Sequence, residues 1–329
     1  MRRLRLADPH LRPVGFFLGT TVVLSLIDAG QGRFLSLITA FGALQLFANF
    51  GLVALGLGLT MLIGEFDLSV AGMFSLSACV AVLTGAQSPA LGAVLAVLAG
   101  IAGGIAQGLI MVRLRISSVG VTLGGLLTFV GLAYVITESH SIPYDNYDVA
   151  TAMNDHIGGI FSVRSLVALV LFAVAAVTFG MTRIGRDLTA IGSDRRAAMT
   201  AGVGVERLVI GAFAVSGGLA ALSGALLGYS LAAATPSGLS DVLVPAATAA
   251  IIGGVSLGGG TGTPLGIGIG VVTLATLRAG LNALGQSPFV TDTVTGGILL
   301  CVAILDGPGL TLFMRRMGLA RSRETRPLA

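Results

Sequence analysis

Residues 64–70 read Gly64-Glu65-Phe66-Asp67-Leu68-Ser69-Val70, two carboxylates set between two long apolar runs. A carboxylate held at mid-bilayer costs roughly 3 kcal/mol, so an acid in such a place serves a pathway or a partner. Asp67 or Ser69 also has the chemistry to cap the following helix and turn its positive end toward an aqueous cavity. The competing reading is a cytoplasmic turn whose acids are simply solvated. A second polar stretch, residues 183–207, contains Ser193-Asp194-Arg195-Arg196-Ala197-Ala198-Met199-Thr200-Ala201-Gly202. It reads as a short surface helix that Ser193 or Asp194 starts and Gly202 stops. Small residues beside an arginine pair suit docking against another protein; the alternative is a connector lying on anionic headgroups. A third stretch, residues 253–264, runs Gly253-Gly254-Val255-Ser256-Leu257-Gly258-Gly259-Gly260-Thr261-Gly262-Thr263-Pro264. It has the glycines of a phosphate loop but no strand context, and reads as a tight turn between packed helices.

Several chemistries are excluded. All 19 basic residues are arginine, so the Walker A lysine is missing and the chain is no conventional P-loop ATPase. Cys79 and Cys301 both sit inside apolar runs and read as small hydrophobes, and the three histidines are too scattered for a zinc site. The apolar runs hold no Ser/His/Asp, paired-Asp or metal-ligand set, which argues against an intramembrane enzyme.

The elements that position these residues are membrane helices. Apolar residues make up 54% of the chain and charged residues 10%, with mean hydropathy +0.95. Soluble domains carry about 25% charged residues, so this surface is built for lipid. A crossing takes roughly 20 apolar residues, and backbone groups in lipid must pair within the segment, which favours helices. Ten apolar runs meet that description: 14–27, 34–64, 68–84, 90–112, 119–137, 165–182, 208–232, 242–257, 264–281 and 289–305. The 34–64 run is too long for one untilted crossing, and 242–257 is short enough to be partly re-entrant. The first run follows Arg2, Arg3, Arg5 and Arg12 like a signal peptide, but no cleavage site follows, so a retained span is expected. The 49 glycines serve close helix packing: Gly100, Gly104 and Gly108, and likewise Gly262, Gly266 and Gly270, repeat at one-face spacing.

Arginine placement sets the orientation, because positive charge accumulates on the cytoplasmic side. The Arg-rich stretches are the N-terminus, Arg113/Arg115, 183–207 and 315–326. Ten crossings put all four inside and leave 138–164 outside, with Glu138, Asp145, Asp148, Asp155 and a single arginine at its end. A faint internal echo links Gly108-Leu109, Ser117-Ser118-Val119 and Gly124-Gly125 to Gly280-Leu281, Ser287-Pro288-Phe289 and Gly296-Gly297. The echoed spans run in opposite directions, as an inverted repeat requires.

Residues 64–70 resemble the G-x-[IF]-D-L-S-V-G signature of the ribose/xylose/autoinducer-type permeases of ATP-binding cassette importers, a group allied to the branched-chain amino acid permeases. Gly185-Arg186-Asp187-Leu188-Thr189-Ala190-Ile191-Gly192, Ala197-Ala198 and Gly202-Val203 resemble their cytoplasmic coupling segment. Residues 252–260, Gly280-Leu281-Asn282 and Ser287-Pro288-Phe289 match further family stretches, with agreement in order and spacing from about 40 to 306. The chain departs in three places. Glu65 stands where glycine is frequent, Ala71 precedes the closing Gly72, and Val290-Thr291 replace a usual aromatic.

The resemblance implies an all-α membrane protein of about ten transmembrane helices with an inverted-repeat, type II importer architecture. The whole of 1–329 would form one permease domain, with 1–13, 183–207 and 314–329 in the cytoplasm. It further implies a homodimer, or a heterodimer with a related permease, in the plasma (inner) membrane. Two separate ATPase subunits carrying ATP and Mg would bind below, and an extracytoplasmic solute-binding protein above. No cofactor on this chain, no catalysis by it and no nucleic acid partner are expected. The solute it implies is a monosaccharide or polyol, the alternatives being branched-chain amino acids, nucleosides, or a stand-alone secondary transporter. Candidate pathway residues are Asn49, Glu65, Phe66, Asp67, Ser69, Thr122 and Asn282. Candidate coupling residues are Gly185, Arg186, Gly192, Ser193, Arg195, Ala197, Ala198 and Gly202.

Overall fold

The computed structural model describes residues 12–236 and 240–306; the arginine clusters at the two termini lie outside them. Each of the ten apolar runs forms a helix. They are α1 (Arg12–Asp28), α2 (Leu37–Leu62), α3 (Val70–Thr84), α4 (Pro89–Leu114), α5 (Ser118–Ile136), α7 (Val163–Met181), α10 (Val205–Ser230), α11 (Leu243–Ile252), α12 (Pro264–Ala283) and α13 (Pro288–Asp306). Three polar helices fall between them: α6 (Tyr147–Asn154), α8 (Arg183–Ser193) and α9 (Arg195–Thr200). Six helices, α2, α4, α5, α7, α10 and α12, are long and apolar enough to cross a membrane. The chain is therefore a multi-pass, all-α membrane protein.

Length separates the remaining helices from these six. At 1.5 Å per residue the 26 residues of α2 span about 39 Å, more than a bilayer core of about 30 Å. The 15 residues of α3 reach only about 22 Å and the ten of α11 about 15 Å. Both short helices start or stop at irregular backbone: residues 64–69 precede α3, and the glycine-rich turn follows α11. The 242–257 run is thus helical over little more than half its length.

The core sits where α2, α3 and α10 meet, with α4 and α12 packed outside them. The contacts fall into matching sets. α10 lies against α4 and α3, as α2 lies against α12 and α11; α3 touches α4 and α5, as α11 touches α12 and α13. The outer helices present apolar side chains outward, among them Leu127 and Val135 on α5 and Val170, Val174 and Val177 on α7.

Glycine makes the closest of these contacts possible. A Cβ at Gly100 would strike the carbonyl of Gly217, one at Gly104 that of Phe213, and one at Gly108 would lie 2.8 Å from the Cα of Ile210. The α4 stripe therefore carries α10 at backbone distance, as expected. The second stripe is two residues, not three. Gly266 and Gly270 press on the backbone of Gly253 and Ala249, but Gly262 lies before α12 in the turn, at φ +129°.

A two-stranded ladder, β1 (Ile142–Pro143) and β2 (Ala233–Ala234), ties the 138–162 segment to the end of α10. Tyr144 reinforces it, donating from its hydroxyl to the carbonyl of Gly85 at 3.1 Å and packing on Tyr229 at 4.9 Å between ring centres.

Candidate functional site: a broken helix and the polar insert

Between α2 and α3 the backbone leaves the helix for seven residues, and the signature acid lies in the gap. Asp67 is 1% exposed. Its Oδ1 accepts from the Ser69 amide at 3.0 Å and the Ser69 hydroxyl at 2.6 Å, and its Oδ2 accepts from the Ser216 hydroxyl of α10 at 2.8 Å. Gln107 of α4 donates to Ser69 Oγ at 2.8 Å. The preceding residue is fixed from α5: Thr122 Oγ1 donates to the Phe66 carbonyl at 3.2 Å, and the Phe66 amide donates to Ser118 Oγ at 3.3 Å. Asp67 is thus a buried acceptor that gathers four helices around the break, and the solvated-turn reading does not describe it. It supplies the acceptor at the start of α3, while Ser69 makes no side-chain cap of its own.

Glu65, two residues away, belongs to a different neighbourhood. Its Oε1 accepts from Arg195 Nη1 at 2.7 Å, an ion pair between the break and the polar insert. The insert is two helices. α8 buries Gly185, Leu188 and Ile191; Asp194 ends α8 and starts α9, accepting from the amides of Arg196 at 2.9 Å and Ala197 at 3.0 Å. Of the two expected caps, Asp194 serves, while the Ser193 hydroxyl turns back to the Thr189 carbonyl. Gly202 closes the unit at φ +84°. Ala198 packs against this chain's own Ile191, Val205 and Val209, whereas Ala197, Arg186 and Arg195 are exposed. Of the two alanines, Ala197 offers surface to the outside of the chain and Ala198 does not.

The glycine-rich turn joins the same place. The Gly260 amide donates to the Leu62 carbonyl at 2.9 Å, and a Cβ at Gly192 would collide with that same carbonyl and with the Gly260 amide. Gly259, at φ +82°, brings its Cα against the backbone of Gly64. The end of α2, the end of α8 and the α11–α12 turn meet backbone to backbone, with the Ser193 side chain beside Gly260.

Asn49 stands apart from the break, in a cluster that sequence reading missed. Arg164 was expected at the end of an exposed loop; it lies in the first turn of α7 and is 5% exposed. It donates from Nη1 to Asn49 Oδ1 at 2.7 Å, and from Nη2 to Asn154 Oδ1 at 3.2 Å and to Gln45. Asn154 in turn donates to the Ser230 carbonyl at 2.9 Å, so the guanidinium ties α2, α6, α7 and α10 together. No carboxylate pairs with it among the described residues. Gln45 and Asn49, four apart on one face of an apolar helix, were the available signal.

Comparison with known proteins adds the context. A family described as the branched-chain amino acid transport system / permease component matches residues 39–303. A ribose import permease of Bacillus subtilis is 30% identical over 303 residues, 91% of this chain and 94% of that one. An L-arabinose transporter permease of Azospirillum brasilense is 29% identical over 261 residues, 78% of this chain and 76% of that one. A xylose/arabinose import permease of Sulfolobus acidocaldarius is 30% identical over 274 residues, 80% and 75% of the two chains. The chain belongs to this permease family. No solved structure matches it.

Within the permease, the matched stretch runs from the start of α2 to the end of α13 and takes in both polar clusters, the insert and the glycine-rich turn. Of the seven candidate pathway residues, the structure joins Phe66, Asp67, Ser69 and Thr122 in one network. Glu65 is drawn to the insert, Asn49 to Arg164, and Asn282 lies exposed in the last turn of α12, sharing no hydrogen bond with the others.

Proposed function

We propose that this chain is the membrane-spanning subunit of an ATP-binding cassette importer for a monosaccharide. The observation that carries this reading is the set of relatives named as ribose, arabinose and xylose permeases, each matched along most of its length. The absence of lysine, and with it of a Walker A loop, assigns ATP hydrolysis to separate subunits that bind ATP and Mg. A second copy or a related permease completes the pathway, and a solute-binding protein delivers the sugar from outside. In this reading all ten apolar helices cross or enter the bilayer of the plasma (inner) membrane with both termini in the cytoplasm. The matching contact sets of α2–α5 and α10–α13 support an inverted repeat. The broken helix around Asp67 lines or shapes the pathway, and α8–α9 take the push of the ATPase. A stand-alone secondary transporter would have no use for the exposed insert. The test is uptake of labelled D-ribose, L-arabinose and D-xylose by cells with and without this chain, with L-leucine as control. Loss of sugar uptake alone is expected. Loss of leucine uptake with sugars unaffected overturns the sugar reading in favour of branched-chain amino acids.

A further inference from the structure

An ATPase outside the bilayer can move the spans only through contacts that differ between two states. On the proposed reading, on which this inference rests, α8 and α9 receive that motion. What remains is how it reaches the membrane interior. The insert meets the broken helix in two ways: a backbone abutment of Gly192 on Leu62 and Gly260, and the Arg195–Glu65 ion pair. The abutment is backbone on backbone. The ion pair has side chains to rearrange, and it borders a pocket of about 450 Å³ that also holds Arg115, at the end of α4, and Glu206, in the first turn of α10. Neither Arg115 nor Glu206 forms an ion pair among the described residues. Each partner of the existing pair therefore has a residue of opposite charge across the same water-accessible space. Arg195 is nearly half exposed at 44%, while Glu65, at 15%, faces the pocket, so the pair can open into water there without stranding either charge.

We propose that Glu65 and Arg195 are positioning residues for transport, a tie that exchanges partners as the insert moves. In the state described here Glu65 holds Arg195. When α9 shifts, Glu65 pairs with Arg115 and Arg195 with Glu206. The consequence inside the membrane follows from chain connectivity. Glu65 adjoins Phe66, whose amide and carbonyl are held by α5, and lies two residues from Asp67, which is held by α3 and α10. Moving Glu65 loads the network around the break. A polar residue at this position, where the resembling permeases frequently carry glycine, gives this chain a handle that glycine lacks.

The experiment uses the complex purified through a tag on this chain and reconstituted in liposomes. It compares wild type with Glu65→Gln, Arg195→Gln and the reversed pair Glu65→Arg with Arg195→Glu. Both single variants should keep the ATPase subunits and the wild-type melting temperature. Hydrolysis without sugar should rise about threefold or more, the scale of a coupling contact. The reversed pair remakes the resting tie but sets like charges against Arg115 and Glu206, so it should bring hydrolysis down to the wild-type level or below it. Sugar-free hydrolysis needs no knowledge of the solute, so it reads the tie even if the monosaccharide assignment fails. Wild-type hydrolysis in both single variants, or no recovery in a reversed pair that assembles normally, overturns the tie. Ala197→Glu separates this from the reading beneath it. If that variant loses the ATPase subunits while the glutamine variants behave as wild type, only the tie is wrong. If Ala197→Glu leaves assembly, hydrolysis and uptake intact, the insert is not the coupling element.

Discussion

Replacing Asp67 separates two roles that a buried acid can have, charge and hydrogen-bond acceptance. The carboxylate accepts three hydrogen bonds, one from an amide and two from hydroxyls that donate to it here. Asp67→Ala strands the Ser69 amide and the Ser216 hydroxyl in a site sealed from solvent. The Ser69 hydroxyl keeps its bond from Gln107 but loses its acceptor. A stranded buried donor costs about 1–3 kcal/mol, so the variant should lose about 3–5 kcal/mol, a large share of the roughly 5–15 kcal/mol that holds an ordinary domain. Asp67→Asn keeps an acceptor oxygen for the Ser69 groups, and its new amide can donate to Ser216, whose hydroxyl turns to accept. The expected loss is about 1 kcal/mol. Ser216→Ala removes one partner and leaves one carboxylate oxygen unsatisfied, with an intermediate loss of about 1–2 kcal/mol. Thermal unfolding of the purified permease in detergent ranks the three, and sugar uptake in cells follows the same order. Asn as damaging as Ala would show that the negative charge itself is used. Ala unfolding with wild type would show that the network holds nothing together.

Gly104→Leu drives a side chain into the Phe213 carbonyl and should cost about 1–3 kcal/mol or more, seen as a lower melting temperature with aggregation. Gly124→Leu, at an open position on α5, should not. Arg164→Leu removes the donor shared by Gln45, Asn49 and Asn154 and should cost about 2–4 kcal/mol; Arg164→Lys should recover part of it, again by melting. With Cys79 and Cys301 replaced, a membrane-impermeant thiol reagent added outside should label a cysteine at Asn146 and not one at Ser193. Labelling at Ser193 would overturn the orientation.

Which helices exist was legible from apolar run length alone, because lipid demands it. Where they stop was not. The run 68–84 begins its helix two residues late, since the Ser69 amide is taken by the Asp67 side chain, and 242–257 is helical for ten residues, since the Gly254 and Val255 amides turn back onto Ile251 and Ala250 and the Ser256 amide pairs with Thr261. The Asp67 network was half legible. Acid and serine two apart signal a local cap, but Ser216 and Gln107 lie 149 and 38 residues away and carry no local pattern that points to position 67. The burial of Ala198 was illegible for a related reason. A small residue beside Ala197 on a six-residue helix looks equally available from sequence, and only the third dimension shows which alanine the insert uses for itself. Arg164 was read as a topology marker because one arginine in an acidic loop looks like a charge count rather than a ligand for three amides.

The contact of α4 with α10 has a mechanical consequence. Rows of glycine that interlock carbonyl to Cα behave like meshed teeth: axial sliding would ride each Gly100, Gly104 or Gly108 over a peptide group of the facing helix. Lateral separation would open a void that neither lipid nor water fills well. Two motions are thereby closed to this pair, and the two helices must travel as a single strut through any cycle of opening. Flexure is left to the joints at one shared end of the strut: the left-handed Arg115 at the C-terminal end of α4, and Gly204 before α10. The strut therefore acts as a lever arm. A small displacement of the insert, applied beside Gly204, would swing the far ends of both helices, where the β1–β2 ladder and Tyr144 would carry the swing into the 138–162 segment.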